Sequence, residues 1–188
     1  MLQKDKMPEA EVTLRFAIAI INEGHAISSV KAAIDGAQVK TGSTVHFPIV
    51  EFLNKQGWFN SDQTGRWQGT YKNERYFQSI IVHSSSGEGD IVAQLKNDLI
   101  LRVESKKGPL SRNKSSKEYP LIREAIGQLM TIEKVDKNDV LAVAVPHSDK
   151  FSDLAAQWSE RPLIKNAGIC IVTIDRNNTI RGLENIGK

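Results

Sequence analysis

The sequence predicts an α/β domain in which helices flank a mixed central sheet, and three patterns predict it. The stretch GDIVAQLKNDLILRVESKKG, Gly89 to Gly108, reads as two strands, Asp90–Leu95 and Leu99–Lys106, joined by a polar turn at Lys96-Asn97-Asp98. Further on, the continuous apolar runs Val140–Val145 and Ile169–Ile174 bracket a partly helical stretch, Phe151–Lys165. Strand, helix, strand with buried runs implies a parallel pair joined by a helical crossover. Finally, apolar residues recur at helical spacing in two places: Val12, Phe16, Ala19 and Ile20, and later Ile122, Ala125, Ile126 and Leu129.

Composition agrees with one such domain plus a modest extension. The chain has 188 residues, 40% hydrophobic and 25% charged, the balance of a soluble globular protein. A net charge of +3 is mildly basic and compatible with a nucleic-acid partner. The single cysteine, Cys170, lies inside an apolar run, so an intramolecular disulfide is excluded and a core role expected. The polar start, MLQKDKMPEAE, is no secretory signal, and no run approaches the ~20 apolar residues of a membrane span. A cytoplasmic protein without a membrane partner is expected.

Taken in order, Pro8-Glu9 opens a first helix that Gly24 breaks, and Ser28 or Ser29 caps a second running to about Ala37. Helix, short turn, helix is the outline of a DNA-binding helix-turn-helix, but equally of two packed helices serving as a cap or dimer contact. Residues 1–43 are read as this helical extension and residues 44–188 as the main domain. Thr44 to Gln56 reads as a helix ending at Gly57. Its Glu51 either faces the hairpin's polar surface or is simply solvated. Asn60–Lys72 reads as a surface loop in which Trp67 stacks on a base or anchors the loop. Tyr76–His83 is a strand entering a Ser-rich loop, and Tyr119–Lys134 is a helix whose Gln128 lies off the apolar stripe. Between hairpin and helix, KKGPLSRNKSSK has five Lys or Arg and no acid. It is either a solvated loop or a phosphate-contacting one, through Lys107, Arg112, Lys114 and Lys117.

The hairpin carries the chemistry. Asp90 lies seven residues before Asn97 and Glu104 seven after, so a turn centred there sets the two carboxylates opposite each other. Odd positions from Ile91 to Val103 form an apolar face; Asp90, Gln94, Arg102, Glu104 and Lys106 share the other. Opposed Cβ atoms are about 5 Å apart, and two charges at that distance repel by roughly 3 kcal/mol at an effective dielectric near 20. A cross-strand pair contributes at most about 1 kcal/mol in return. The arrangement therefore calls for positive charge: Lys106 supplies one, and a hard cation such as Mg²⁺, which takes carboxylate oxygens, supplies more. The plainer alternative is a solvated strand face of mixed charge.

On these residues the chain resembles the PD-(D/E)XK phosphodiesterase superfamily, the restriction-endonuclease-like fold with an αβββαβ core. The matching residues are Asp90 of GDI and Glu104-Ser105-Lys106 as the E-x-K tripeptide. Glu51 in VEFLNKQGW is similar to the acid of the family's first core helix, and Gln128 in AIGQLM to a polar residue on the helix after the tripeptide. The resemblance covers roughly Thr44 to Ile174. It implies that Asp90 and Glu104 hold Mg²⁺ (with Mn²⁺ as a substitute), with Glu51 as a further ligand. Lys106 would orient or deprotonate the attacking water, and Gln128 would position water or Lys106. The implied activity is metal-dependent hydrolysis of DNA, double-stranded, by a homodimer or with a partner subunit. Two alternatives stay open: a structure-selective junction resolvase, and a non-cleaving nucleic-acid-binding module.

Overall fold

The computed structural model describes residues 4–62, 64–111 and 117–185. In chain order its elements begin with β1 (Lys6–Met7), α1 (Glu9–Asn22), β2 (Val30–Ala33), α2 (Gly36–Val39), β3 (Lys40–Thr41), β4 (Thr44–Val45) and α3 (Ile49–Lys55). Then come β5 (Phe59–Asn60), β6 (Gly69–Lys72), β7 (Ser79–His83), β8 (Ile91–Gln94), β9 (Ile100–Ser105) and β10 (Gly108–Pro109). The last are α4 (Glu118–Leu129), β11 (Asp139–Pro146), α5 (Asp149–Ser159), α6 (Pro162–Asn166), β12 (Ile169–Ile174) and β13 (Ile180–Arg181). Nine strands form one mixed sheet in the order β13-β12-β11-β9-β8-β2-β7-β6-β5. The protein is thus α/β, a large mixed sheet flanked by helices. Among the described residues no helix is long and apolar enough to cross a membrane.

The sheet separates two layers of core. On β11, Ala142 and Ala144 point into the cluster holding α1 and α3, while Val143 and Val145 point toward α4 and α5. Such alternation is what a strand buried on both faces requires. α1 is buried around its whole circumference from Ala10 to Ile21, and side chains such as Phe16, Ile18 and Ile20 each contribute about 1.5–3 kcal/mol of burial. Three polar residues are buried with it, and they are paired. Glu11 accepts from Arg15 Nε at 2.8 Å and from Arg176 Nε at 3.1 Å, tying the helix to the β12–β13 turn. At β10, a Cβ on Gly108 would lie 2.4 Å from the Phe151 ring, so only glycine allows that close approach.

The hairpin keeps the expected register: Ile91 pairs with Val103 and Gln94 with Ile100, antiparallel. Its turn places Asn97 and Asp98 at positive φ, 62° and 59°, which Asn and Asp tolerate better than most residues. The parallel β11–β12 pair with a helical crossover is also present.

Five expectations are corrected. Residues 30–33 form a strand rather than part of a second helix: Val30 and Ala32 are buried and Lys31 exposed, a period of two, and burial between β7 and β8 overrides helix propensity. No helix-turn-helix is therefore formed there. Nor are residues 1–43 an extension: α1 packs on β2, β9, β11 and β12, and β2 lies inside the sheet. The expected meander of Tyr76–His83 with the hairpin is interrupted, because β2 lies between β7 and β8. The helix expected from Thr44 starts only at Ile49 behind Pro48, which has no N–H to continue a preceding turn. The expected loop 60–72 carries β6 and the end of β5.

Candidate active site

Asp90 lies one residue before the paired Ile91, and Glu104 one residue past Val103, so the hairpin sets them opposite each other at the sheet end where β9 finishes. Gly89 makes the approach possible. Its φ is 99°, and a Cβ there would sit 3.2 Å from Val103 O, so neither proline nor an ordinary residue suits the position. Asp90 Oδ2 accepts the Ser105 N–H at 2.8 Å. Glu104 is only 9% exposed and Lys106 3%. Glu104 and Lys106 share the face toward α4, as the alternation requires.

A third acid joins them, and it comes from α1. Lys106 Nζ lies 3.6 Å from Glu9 Oε1 and 3.4 Å from Glu124 Oε1 of α4. Gln38 Nε2 donates to the same Glu9 oxygen at 2.9 Å. Glu9, Asp90, Glu104 and Gln128 line a cleft of about 440 Å³, closed on one side by the serine loop at residues 84–86. Both hairpin acids resist ionisation. Burial pushes Asp90 up to about 6, against the Ser105 hydrogen bond and Lys106, with Glu9 adding repulsion. Burial and the Asp90 charge push Glu104 up to about 7, only partly offset by Lys106. Buried carboxylates displaced toward neutrality are the environment in which a cation is most strongly drawn in.

Among the described residues no three His, Cys, Asp or Glu side chains are gathered where they could hold a metal ion. The donors at hand are the two carboxylates of Asp90 and Glu104, and Mg²⁺ is an ion that binds through one or two carboxylates while keeping several waters. The hard oxygens of Asp90 and Glu104, short of positive charge, fit such an ion.

Of the residues expected here, Asp90, Glu104, Lys106 and Gln128 come together. Glu51 does not. It is exposed on α3, bonded to Lys55 at 2.6 Å, which lowers its pKa, and it lines a different groove. On the cleft wall the further acid is Glu9 of α1. Trp67 is half-buried against the core and borders the same groove as Glu51, so it anchors its loop. Lys107 and Lys117 are exposed on a neighbouring pocket, and Arg112 and Lys114 lie outside the described residues. Sequence reasoning missed Glu9, Gln38 and Glu124. Glu9 did carry a signal, as the acid opening a strongly apolar helix, EAEVTLRFAIAII.

Comparison of the chain with known protein families, with curated proteins and with solved structures finds no match in any of the three.

Proposed function

We propose that the chain is a Mg²⁺-dependent nuclease that hydrolyses DNA phosphodiester bonds, built on a restriction-endonuclease-like core. The observation that carries this reading is the convergence of Asp90, Glu104 and Glu9 on one cleft, with Lys106 buried beside it on Glu9. The topology is compatible with it once the elements from α2 to β7, and β10, are set aside as additions: the remaining α1, β2, β8, β9, α4 and β11 follow an αβββαβ order, with β2, β8 and β9 antiparallel and β11 parallel to β9.

A bound Mg²⁺ would polarise the scissile phosphate and lower the pKa of a coordinated water. Asp90 and Glu104 would hold that ion with their carboxylate oxygens, the Ser105 N–H fixing one Asp90 oxygen in place. Lys106, almost fully buried and gripped by Glu9 of the cleft wall and by Glu124, keeps its ammonium beside the cleft. There Nζ orients the attacking water and offsets negative charge as it develops on the phosphoryl oxygens. Glu9 acts through Lys106 and is a positioning residue. Gln128, on the α4 wall, donates to water or phosphate.

The test is incubation of the full chain with supercoiled plasmid and with branched DNA, with and without Mg²⁺ or Mn²⁺. Wild type is expected to cut only with metal. Lys106→Met and Asp90→Asn should reduce cleavage by about 10²-fold or more while keeping wild-type circular dichroism. Full activity in a folded Lys106→Met variant, or no cleavage by wild type with either metal, would overturn the proposal.

A further inference from the structure

A second pocket lies beside the cleft. Gln38, the residue that donates to Glu9, lines both, and the second pocket has a volume of about 310 Å³. The two are joined along the backbone as well. Glu9 lines the cleft and its neighbour Pro8 the pocket; Lys106 grips Glu9 and its neighbour Lys107 lines the pocket. The floor is apolar, formed by Met7, Pro109 and Leu121, with the β1–β10 pair holding Met7 opposite Gly108. The rim is cationic. Lys6, Lys107 and Lys117 reach it from three separate stretches of chain, and all three are exposed.

These three lysines differ from Lys106 in how they are paired. Lys106, one residue away, has two carboxylates within reach of its ammonium. Among the described residues, Lys6, Lys107 and Lys117 enter no ion pair. Three uncompensated ammonium groups around one apolar floor repel each other and favour an occupant with an anionic end and a flat apolar body. A nucleotide has both. The volume is at the small end for ligand pockets, suited to one extruded nucleotide and too small to admit a duplex.

We propose that this pocket holds one unpaired nucleotide of the strand being cut, its base against Met7, Pro109 and Leu121 and its phosphate on Lys107 and Lys117. The preferred substrate is then DNA with a single-stranded arm or branch beside the cleavage point, in place of continuous duplex. This rests on the nuclease reading of the adjoining cleft.

Fluorescence anisotropy in metal-free buffer tests it without requiring cleavage. The probes are a blunt duplex and the same duplex bearing a single-stranded arm, each end-labelled. The arm is expected to tighten binding to wild type by about tenfold or more, the range for seating one or two bases. Leu121→Glu, which puts a carboxylate into the pocket, should remove the arm's advantage. The double variant Lys107→Gln/Lys117→Gln, changing only exposed side chains, should remove most of it and so guards against misfolding of the first variant. Equal affinity for both probes, or an arm preference that survives both variants, would overturn the pocket while plasmid cleavage, measured separately, still upheld the nuclease. Arm preference lost in both variants with no cleavage in any metal would support the pocket and overturn the nuclease alone.

Discussion

Replacing Glu104 by glutamine keeps the shape of the side chain and removes its charge, so the penalty of ionising it inside the fold can be read directly. Glu104 moves from 4.5 to about 7 on folding, chiefly through burial and then through Asp90. At about 1.4 kcal/mol per pKa unit, holding it ionised in the native state costs roughly 3 kcal/mol. The sign follows from linkage. The folded pKa lies above the unfolded one, so stability is fully present below about pH 4.5 and is lost as pH rises through about 7. Glu104→Gln cannot lose it. The variant should match wild type at pH 4.5 and pull ahead steadily to pH 7. At pH 8 it should melt about 6–12 °C higher, given ~2–4 °C per kcal/mol in a chain of this length. Asp90, pushed up to about 6, titrates in both proteins and is coupled to Glu104, so the difference between the two curves reports Glu104 together with that coupling. The assay is thermal unfolding by circular dichroism from pH 4.5 to 8, without metal and then with Mg²⁺. Added Mg²⁺ should raise the wild-type Tm most at pH 8 and raise that of Glu104→Gln far less. Identical pH profiles for the two proteins, or a wild type more stable than the variant at pH 8, would refute the electrostatic picture of the cleft.

Two further substitutions probe the remaining acids. In the plasmid assay with Mg²⁺, Glu9→Gln should slow cleavage by about 10–100-fold, as expected when the partner of an active-site group is lost. Glu51→Gln, on its exposed ion pair with Lys55, should stay within about twofold of wild type; the reverse order would return Glu51 to the site and remove Glu9. Glu11→Ala leaves Arg15, 4% exposed, without its carboxylate. It also releases Arg176 of the β12–β13 turn. Urea unfolding should show a loss of about 3–5 kcal/mol, and a loss under about 1 kcal/mol would mean that the Glu11–Arg176 contact does not hold α1 to that turn.

What was legible in the sequence was legible because it is local. The β8–β9 hairpin is specified by a period-two pattern and by a turn whose Asn97 and Asp98 accept left-handed backbone, so its register, and with it the facing of Asp90 and Glu104, follows from adjacent residues. The β11–β12 pair was readable for a similar reason, since two apolar runs that short and separated by a helix can be buried in few other ways. Apart from the helix start at Pro48, which is local, the main errors involve distant partners. Val30 to Ala33 becomes a strand only because β7 and β8, some fifty to sixty residues on, bury it on both sides. Glu51 was expected at the cleft and Glu9 missed for the same cause. Both open a helix, and only packing decides which helix reaches the end of β9.

By itself the sequence determined that two carboxylates and a lysine share one face of a hairpin, because side-chain alternation along a strand is set by the backbone alone. Only the tertiary structure decided that α1 supplies the third acid and that β2 enters the sheet beside β8. Those choices depend on which apolar surfaces meet across the core, and burial free energy carries no mark of how far apart along the chain its two halves began.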